Sequence, residues 1–191
     1  MTTSTIRKVR DLMPLKPLSI IESMRIADIQ AIRLLSLLGI KEAPVPEAAL
    51  AGLPRIHIER LTPAPFSGAA QWTKGRWLIV VNGSESTGTQ RISIGHELKH
   101  ILDAPFSEFL YPPQHGFTAH DRWEEICDYF ATALLMPSQW VKKVYVDEGV
   151  RDLTRIARRF DVPVRAMQLR LASLGLVEPP VSCGSKFLVP A

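Results

Sequence analysis

The chain has 191 residues, 46% of them apolar and 22% charged, with a formal net charge of +4. That is the size and balance of one globular domain with at most a small appendage, and it excludes a long multi-module enzyme, a disordered polyelectrolyte and a collagen-like repeat. Two cysteines, Cys127 and Cys183, cannot build a disulfide framework, so a reducing compartment is expected.

Residues 1–18 mix Arg7, Lys8, Arg10 and Asp11 with threonines and contain no apolar core of the secretory kind, which predicts a cytoplasmic chain. No apolar run approaches the roughly 20 residues that span a bilayer, so no membrane association is expected. The first strong pattern is Ser19-x-x-Glu22, a capping box, followed by Met24, Ala27, Ala31, Leu34, Leu35 and Leu38 at helical steps and closed by Gly39. Prolines 44, 46, 54, 63 and 65 then leave room for only a short helix near 47–50. A strand fits 55–61, where Ile56 and Ile58 alternate with His57 and Glu59.

Residues 70–81 read as a hairpin turning at Lys74-Gly75, with Trp72 and Trp77 as a cross-strand pair. Its second arm, 76–81, is apolar on both faces and belongs inside the sheet. Thr87-x-x-Gln90 suggests a second capping box, opening a helix over about 89–102 with Ile92, Leu98, Ile101 and Leu102 as its stripe. After a proline-rich loop, the helix 121–136 carries Trp123, Cys127, Phe130 and Leu134 and stops at Pro137; a further short helix starts at Ser138.

The positive charge is concentrated late. Between 142 and 171 stand eight basic residues, Lys142, Lys143, Arg151, Arg155, Arg158, Arg159, Arg165 and Arg170, against four acids, an excess equal to that of the whole chain. Helices over 152–160 and 164–174, broken at Asp161-Val162-Pro163, give a helix-turn-helix outline. Such a stretch suits nucleic acid or an acidic partner. It lacks an evident base-reading set, so packing against the preceding helices, or docking of a protein substrate, is the preferred expectation over DNA reading.

The chemistry is concentrated in His96-Glu97-Leu98-Lys99-His100. On a helix, positions four apart share a face, so two imidazoles can meet one zinc ion per chain while Glu97, one step round, faces water as a general base. A hydrolytic zinc needs a third protein ligand and an open position. No His-x-x-Gly-x-x-His extension follows, so the third ligand comes from elsewhere. Glu124 on the next helix fits, with Asp128 on the same face to accept the free ring N–H of His96. Glu125 and His120 are alternatives to Glu124 as ligand, and His115, His120, Tyr111 and Tyr129 are candidates for stabilising an oxyanion. Cys127 reads as core packing.

This Glu-x-x-x-Asp placed after His-Glu-x-x-His is similar to the thermolysin-like zinc peptidases. More broadly, the chain resembles the ImmA/IrrE family of zinc metallopeptidases. The resemblance runs from Gly75-Arg-Trp-Leu-Ile-Val-Val-Asn82 through Gln90-Arg91 and the histidine motif to Phe130-Ala131 and Leu134-Leu135-Met136-Pro137, with similarity continuing at 156–162 and 170–176. It departs at Lys99, where the family usually has Gly, at Cys127 (Ala) and at Asp128 (Asn); Lys99 is expected to point away from the metal and to matter to helix packing alone. The resemblance implies an endopeptidase that cleaves an Xre-type helix-turn-helix repressor, or that pairs with an Xre-like antitoxin.

The expected fold is α+β: a small, mainly antiparallel three-stranded sheet beside the histidine helix and the second ligand helix, with helices at both ends. The expected organisation is a peptidase domain over 1–141, a basic helix-turn-helix-like segment over 142–176 and an irregular tail over 177–191.

Overall fold

A computed structural model describes residues 4–179; Cys183 and most of the expected tail lie outside that range. The fold is α+β, as its pattern predicts. An N-terminal helix, α1 (Thr5–Arg10), is followed by α2 (Ile20–Leu37) and α3 (Glu47–Ala51). Strands β1 (Ile56–Leu61), β2 (Gly68–Thr73) and β3 (Arg76–Asn82) precede α4 (Thr87–Asp103), α5 (Ser107–Leu110) and α6 (Ala119–Leu135). The chain continues through α7 (Ser138–Lys142), a π-helical turn (Lys143–Asp147), α8 (Leu153–Phe160) and α9 (Val164–Ser173).

Local chemistry sets most boundaries. Ser19 and Glu22 form the expected reciprocal cap of α2, and Thr118 with Asp121 does the same for α6. At α4 the structure corrects the sequence: the cap is Ser86, whose hydroxyl accepts from the Thr89 amide, and the helix begins at Thr87. Gln90 is instead drawn to Glu85 O and to the Arg60 side chain, at 2.8 and 2.7 Å.

The sheet is a second correction. Its order is β1-β3-β2, with β2 antiparallel to β3 but β1 parallel to it, so the sheet is mixed and not mainly antiparallel. β3 holds the fully buried Ile79 and Val81 and takes the centre. The hairpin turn, with Lys74 and Gly75 both at positive φ, fills one edge of β3 with β2. Residues 62–67 cross the end of β3 and leave its other edge to β1, pointing the same way.

The sheet rests on α4, and α4 rests on α6. Ile94, Leu98, Ile101, Phe130 and Leu134 are all fully buried between these layers. Helix α2 covers the far side of α6 with Ala27, Ala31, Leu34 and Leu35. The turn before α9 docks on the start of α4: Arg91 pairs with Asp161, and Gly88 leaves room for Pro163, which a Cβ there would approach to 3.0 Å. Among the described residues, no helix is long and apolar enough to cross a membrane.

Candidate metal centre

Helices α4 and α6 approach closely at Gly95 and Ala131. A Cβ on Gly95 would stand 3.0 Å from Ala131 Cα, so only a residue without a side chain permits this backbone contact. One step along α4 from Gly95, His96 opens towards α6; one turn later, His100 joins it. From α6, Glu124 reaches across to both.

The three side chains converge. His96 Nε2 and His100 Nε2 are 2.9 Å apart. Glu124 places Oε1 3.1 Å from His100 Nε2 and Oε2 3.4 Å from His96 Nε2. Two ligands about 2.05 Å from a cation at the tetrahedral angle stand about 3.3 Å apart, so this triangle has the size and the nitrogen and oxygen chemistry of a three-ligand site. Asp128 Oδ1 lies 2.8 Å from His96 Nδ1 and accepts its proton, which orients the ring.

The electrostatics agree. Burial disfavours charge on His96, but its hydrogen bonds to Asp128 and Glu124 outweigh burial and raise it to about 9. Hydrogen bonds from His100 and His96 hold the Glu124 carboxyl well below the usual carboxylate range. These groups together favour positive charge at the point where they meet, and a cation competes there with the proton.

Glu97 sits beside this triangle, 7% exposed, under the edge of the sheet. Burial raises its carboxyl above the ordinary value, partly opposed by the two imidazoles. The fit is tight: a Cβ on Gly68 would come within 3.0 Å of Glu97 Oε1 and 3.2 Å of Ser93 Cβ. The cleft in front, about 460 Å³, is walled by Gly68, Ala69, Ala70, Trp77 and Trp123. Trp123 meets His100 edge-on at 4.4 Å between ring centres. A larger hollow, about 680 Å³ between α1 and α5, contains none of these donors.

The other candidates separate clearly. Glu125 contacts neither histidine, and the charges that act on it are those of Arg122 and Asp128. The His120 ring stands at the mouth, 74% exposed and 3.8 Å from Glu124 Oε1. Tyr111 gives its hydroxyl to Asp103 and Tyr129 gives its own to Asp28, so both hydroxyls are engaged behind the cleft. His115 lies in an exposed turn, and His57 pairs with Glu59 on the outer surface. Trp72 and Trp77 form the expected cross-strand pair, 5.5 Å apart and edge-on.

Cys127 has a sulfur within 4.8 Å of the donor nitrogens of His96 and His100. It is fully buried, and burial pushes its thiol well up; Glu124 is the donor already in contact with both rings. Lys99 departs from expectation. It points away from the cleft, but into a wholly buried ion pair with Asp103 at 2.8 Å, and not merely against apolar neighbours.

Residues 54–172 match the family model of the M78 peptidases, described as the IrrE N-terminal-like domain. The chain belongs to this peptidase family. The family is typically metal-dependent, in keeping with the donor set. The matched stretch starts just before β1 and ends within α9, leaving α1 to α3 outside it. Among solved structures, a Mycobacterium tuberculosis transcriptional regulator has a similar fold, with a TM-score of 0.63 at 18% identity; the match covers 89% of this chain and 52% of that one. The chain thus spans about half the length of that structure. None of the curated proteins compared matches it.

Proposed function

We propose that this chain is a zinc-dependent endopeptidase of the IrrE type, with His96, His100 and Glu124 as metal ligands, Glu97 as general base and Asp128 as the acceptor that orients His96. The observation that carries this reading is the convergence of His96 Nε2, His100 Nε2 and the Glu124 carboxylate to within 2.9–3.4 Å of one another beside a buried second glutamate. When bound, the cation supplies a Lewis acid that polarises the scissile carbonyl and lowers the pKa of water to about 7.

Glu97 then removes a proton from the attacking water and returns it to the departing amine nitrogen. Its burial under β2 keeps bulk water from competing for that proton. Among the described residues, β2 pairs with β3 alone and so presents a free edge along the cleft. That edge suits an extended peptide, which would add to it as a further strand.

On the resemblance described above, the substrate proposed is a helix-turn-helix protein, an Xre-type repressor or antitoxin. The exposed basic face of α8, Arg155, Arg158 and Arg159, suits docking of an acidic protein surface. A DNA-binding role is less well supported: Arg170 is 2% exposed and donates to Met136 O, so it is not available to phosphates. The reading is tested by incubating the zinc-loaded chain with a helix-turn-helix repressor encoded beside it and following fragments by mass spectrometry. Cleavage by the wild type, none by Glu97→Gln with its zinc retained, and loss on chelation are expected; undiminished cleavage by Glu97→Gln would remove Glu97 from the mechanism.

A further inference from the structure

The two helices that carry the ligands are tied from behind by a single helix that lies outside the matched family segment. Lys99 precedes His100 on α4 and is 0% exposed, as are Asp103 and Gln30. Its ammonium donates to Gln30 Oε1 of α2 at 2.7 Å and to Asp103 Oδ1 at 2.8 Å. Asp103 accepts a further bond from Tyr111 at 2.6 Å. Gln30 in turn donates to Val9 O of α1 at 3.3 Å. Every member of this buried network is therefore matched.

Two residues before Gln30, Asp28 serves the other ligand helix. Tyr129, which follows Asp128 on α6, donates its hydroxyl to Asp28 Oδ2 at 2.8 Å. Arg170 of α9 approaches the remaining oxygen at 3.4 Å. The end of α4 beyond His100 is also held from the N-terminal side. Arg10 of α1 donates to Ile101 O and Leu102 O at 2.8 and 3.0 Å, two carbonyls of the last helical turn that need partners.

Successive helical residues point about 100° apart, so Lys99 and His100 are rigidly related through one backbone. A roll of α4 that displaced His100 would drag the ammonium from both acceptors, and a buried ammonium without acceptors is costly. The same relation joins Tyr129 to Asp128 and, one turn back, to Glu124. Gln30 and Asp28 thus fix the two helices against a common support. The triangle of donors, whose members come from different helices, needs that support if it is to be held to within about 0.5 Å.

We infer that α1 and α2 brace the metal centre, with Gln30 acting through Lys99 and Asp28 acting through Tyr129 as positioning residues. This rests on the metal-site reading given above, and none of the four touches the donor triangle.

Cobalt(II) titration of the full-length chain tests the brace, because the visible bands report coordination geometry and competition with a chelator gives affinity. Gln30→Leu removes the acceptor of Lys99 and should weaken cobalt binding about tenfold with altered bands. Gln30→Glu keeps the acceptor for the ammonium but loses the bond to Val9 O, and it should bind cobalt more tightly than Gln30→Leu. Asp28→Asn should weaken binding by a smaller factor, and it keeps the test open if Gln30→Leu does not fold.

Thermal unfolding of the apo variants separates placement from stability. If Gln30→Leu and Asp28→Asn lose stability yet bind cobalt within twofold of wild type with unchanged bands, the brace is wrong. If the wild type itself takes up no cobalt, it is the metal-site reading that fails, and the two failures are told apart by that control.

Discussion

The two faces of α4 solve opposite problems within the eight residues from His96 to Asp103. On its back, Lys99 and Asp103 are sealed from water, and the protein provides both the cation and the anion. On its front, His96 and His100 meet Glu124 with Glu97 beside them, and among the described residues no lysine or arginine pairs with that glutamate. The back is complete by itself, and its charges serve stability. The front gathers donors around a point that favours positive charge, which is the condition for binding an exchangeable cation.

The comparison breaks most directly at His100. His100→Ala should abolish stoichiometric uptake of zinc while costing little in thermal stability, because the front is open; a full equivalent of zinc in the purified variant would show that the front is not the site. Lys99→Met tests the back and leaves Asp103 buried without its cation. A loss of about 3–5 kcal/mol in denaturant unfolding is expected, and a loss below 1 kcal/mol would mean that water reaches the pair.

A smaller effect is expected at Asp128→Ala, which removes the acceptor behind His96. Zinc affinity measured against a chelator should fall by about 10- to 100-fold with the fold unchanged; an unaltered affinity would leave Asp128 without a part in the centre. Trp72→Ala, on the exposed side of the hairpin, touches neither face. It should cost up to about 1 kcal/mol, and a change in zinc affinity there would argue that the front is not confined to the two helices.

Most of the front was legible because side chains four apart share a helix face and leave a spacing that a linear sequence records. His96 and His100, and Glu124 and Asp128, are so spaced, Glu97 follows His96 directly, and the structure brings all five together. The partner across β3 was not legible: strand direction depends on where the link 62–67 crosses, and no residue in it encodes that. Nor was the network behind α4. Lys99 reads in sequence as a helix-packing residue pointing away from the metal, and its acceptor Gln30 lies 69 positions away, at no recurring interval. Gly95 and Gly68 carried no signal either, since their part is to let a neighbouring backbone or carboxylate come close. Helix α1 was missed although Ser4 caps it, because six residues are too few to establish a period.

The contact between Gly95 and Ala131 sets how far Glu124 must reach to meet the two imidazoles. With the two backbones touching, the Glu124 carboxylate of α6 stands 3.1 and 3.4 Å from the imidazole nitrogens of α4, a span compatible with bonds of about 2 Å to one small cation. Calcium is disfavoured by donor type and not by spacing, because it takes roughly six or more oxygen ligands and two of the three donors here are imidazole nitrogens. A bulkier residue at either position would push the helices apart and draw the carboxylate away from the rings, so the shape of this cluster is written partly in residues that contribute no donor.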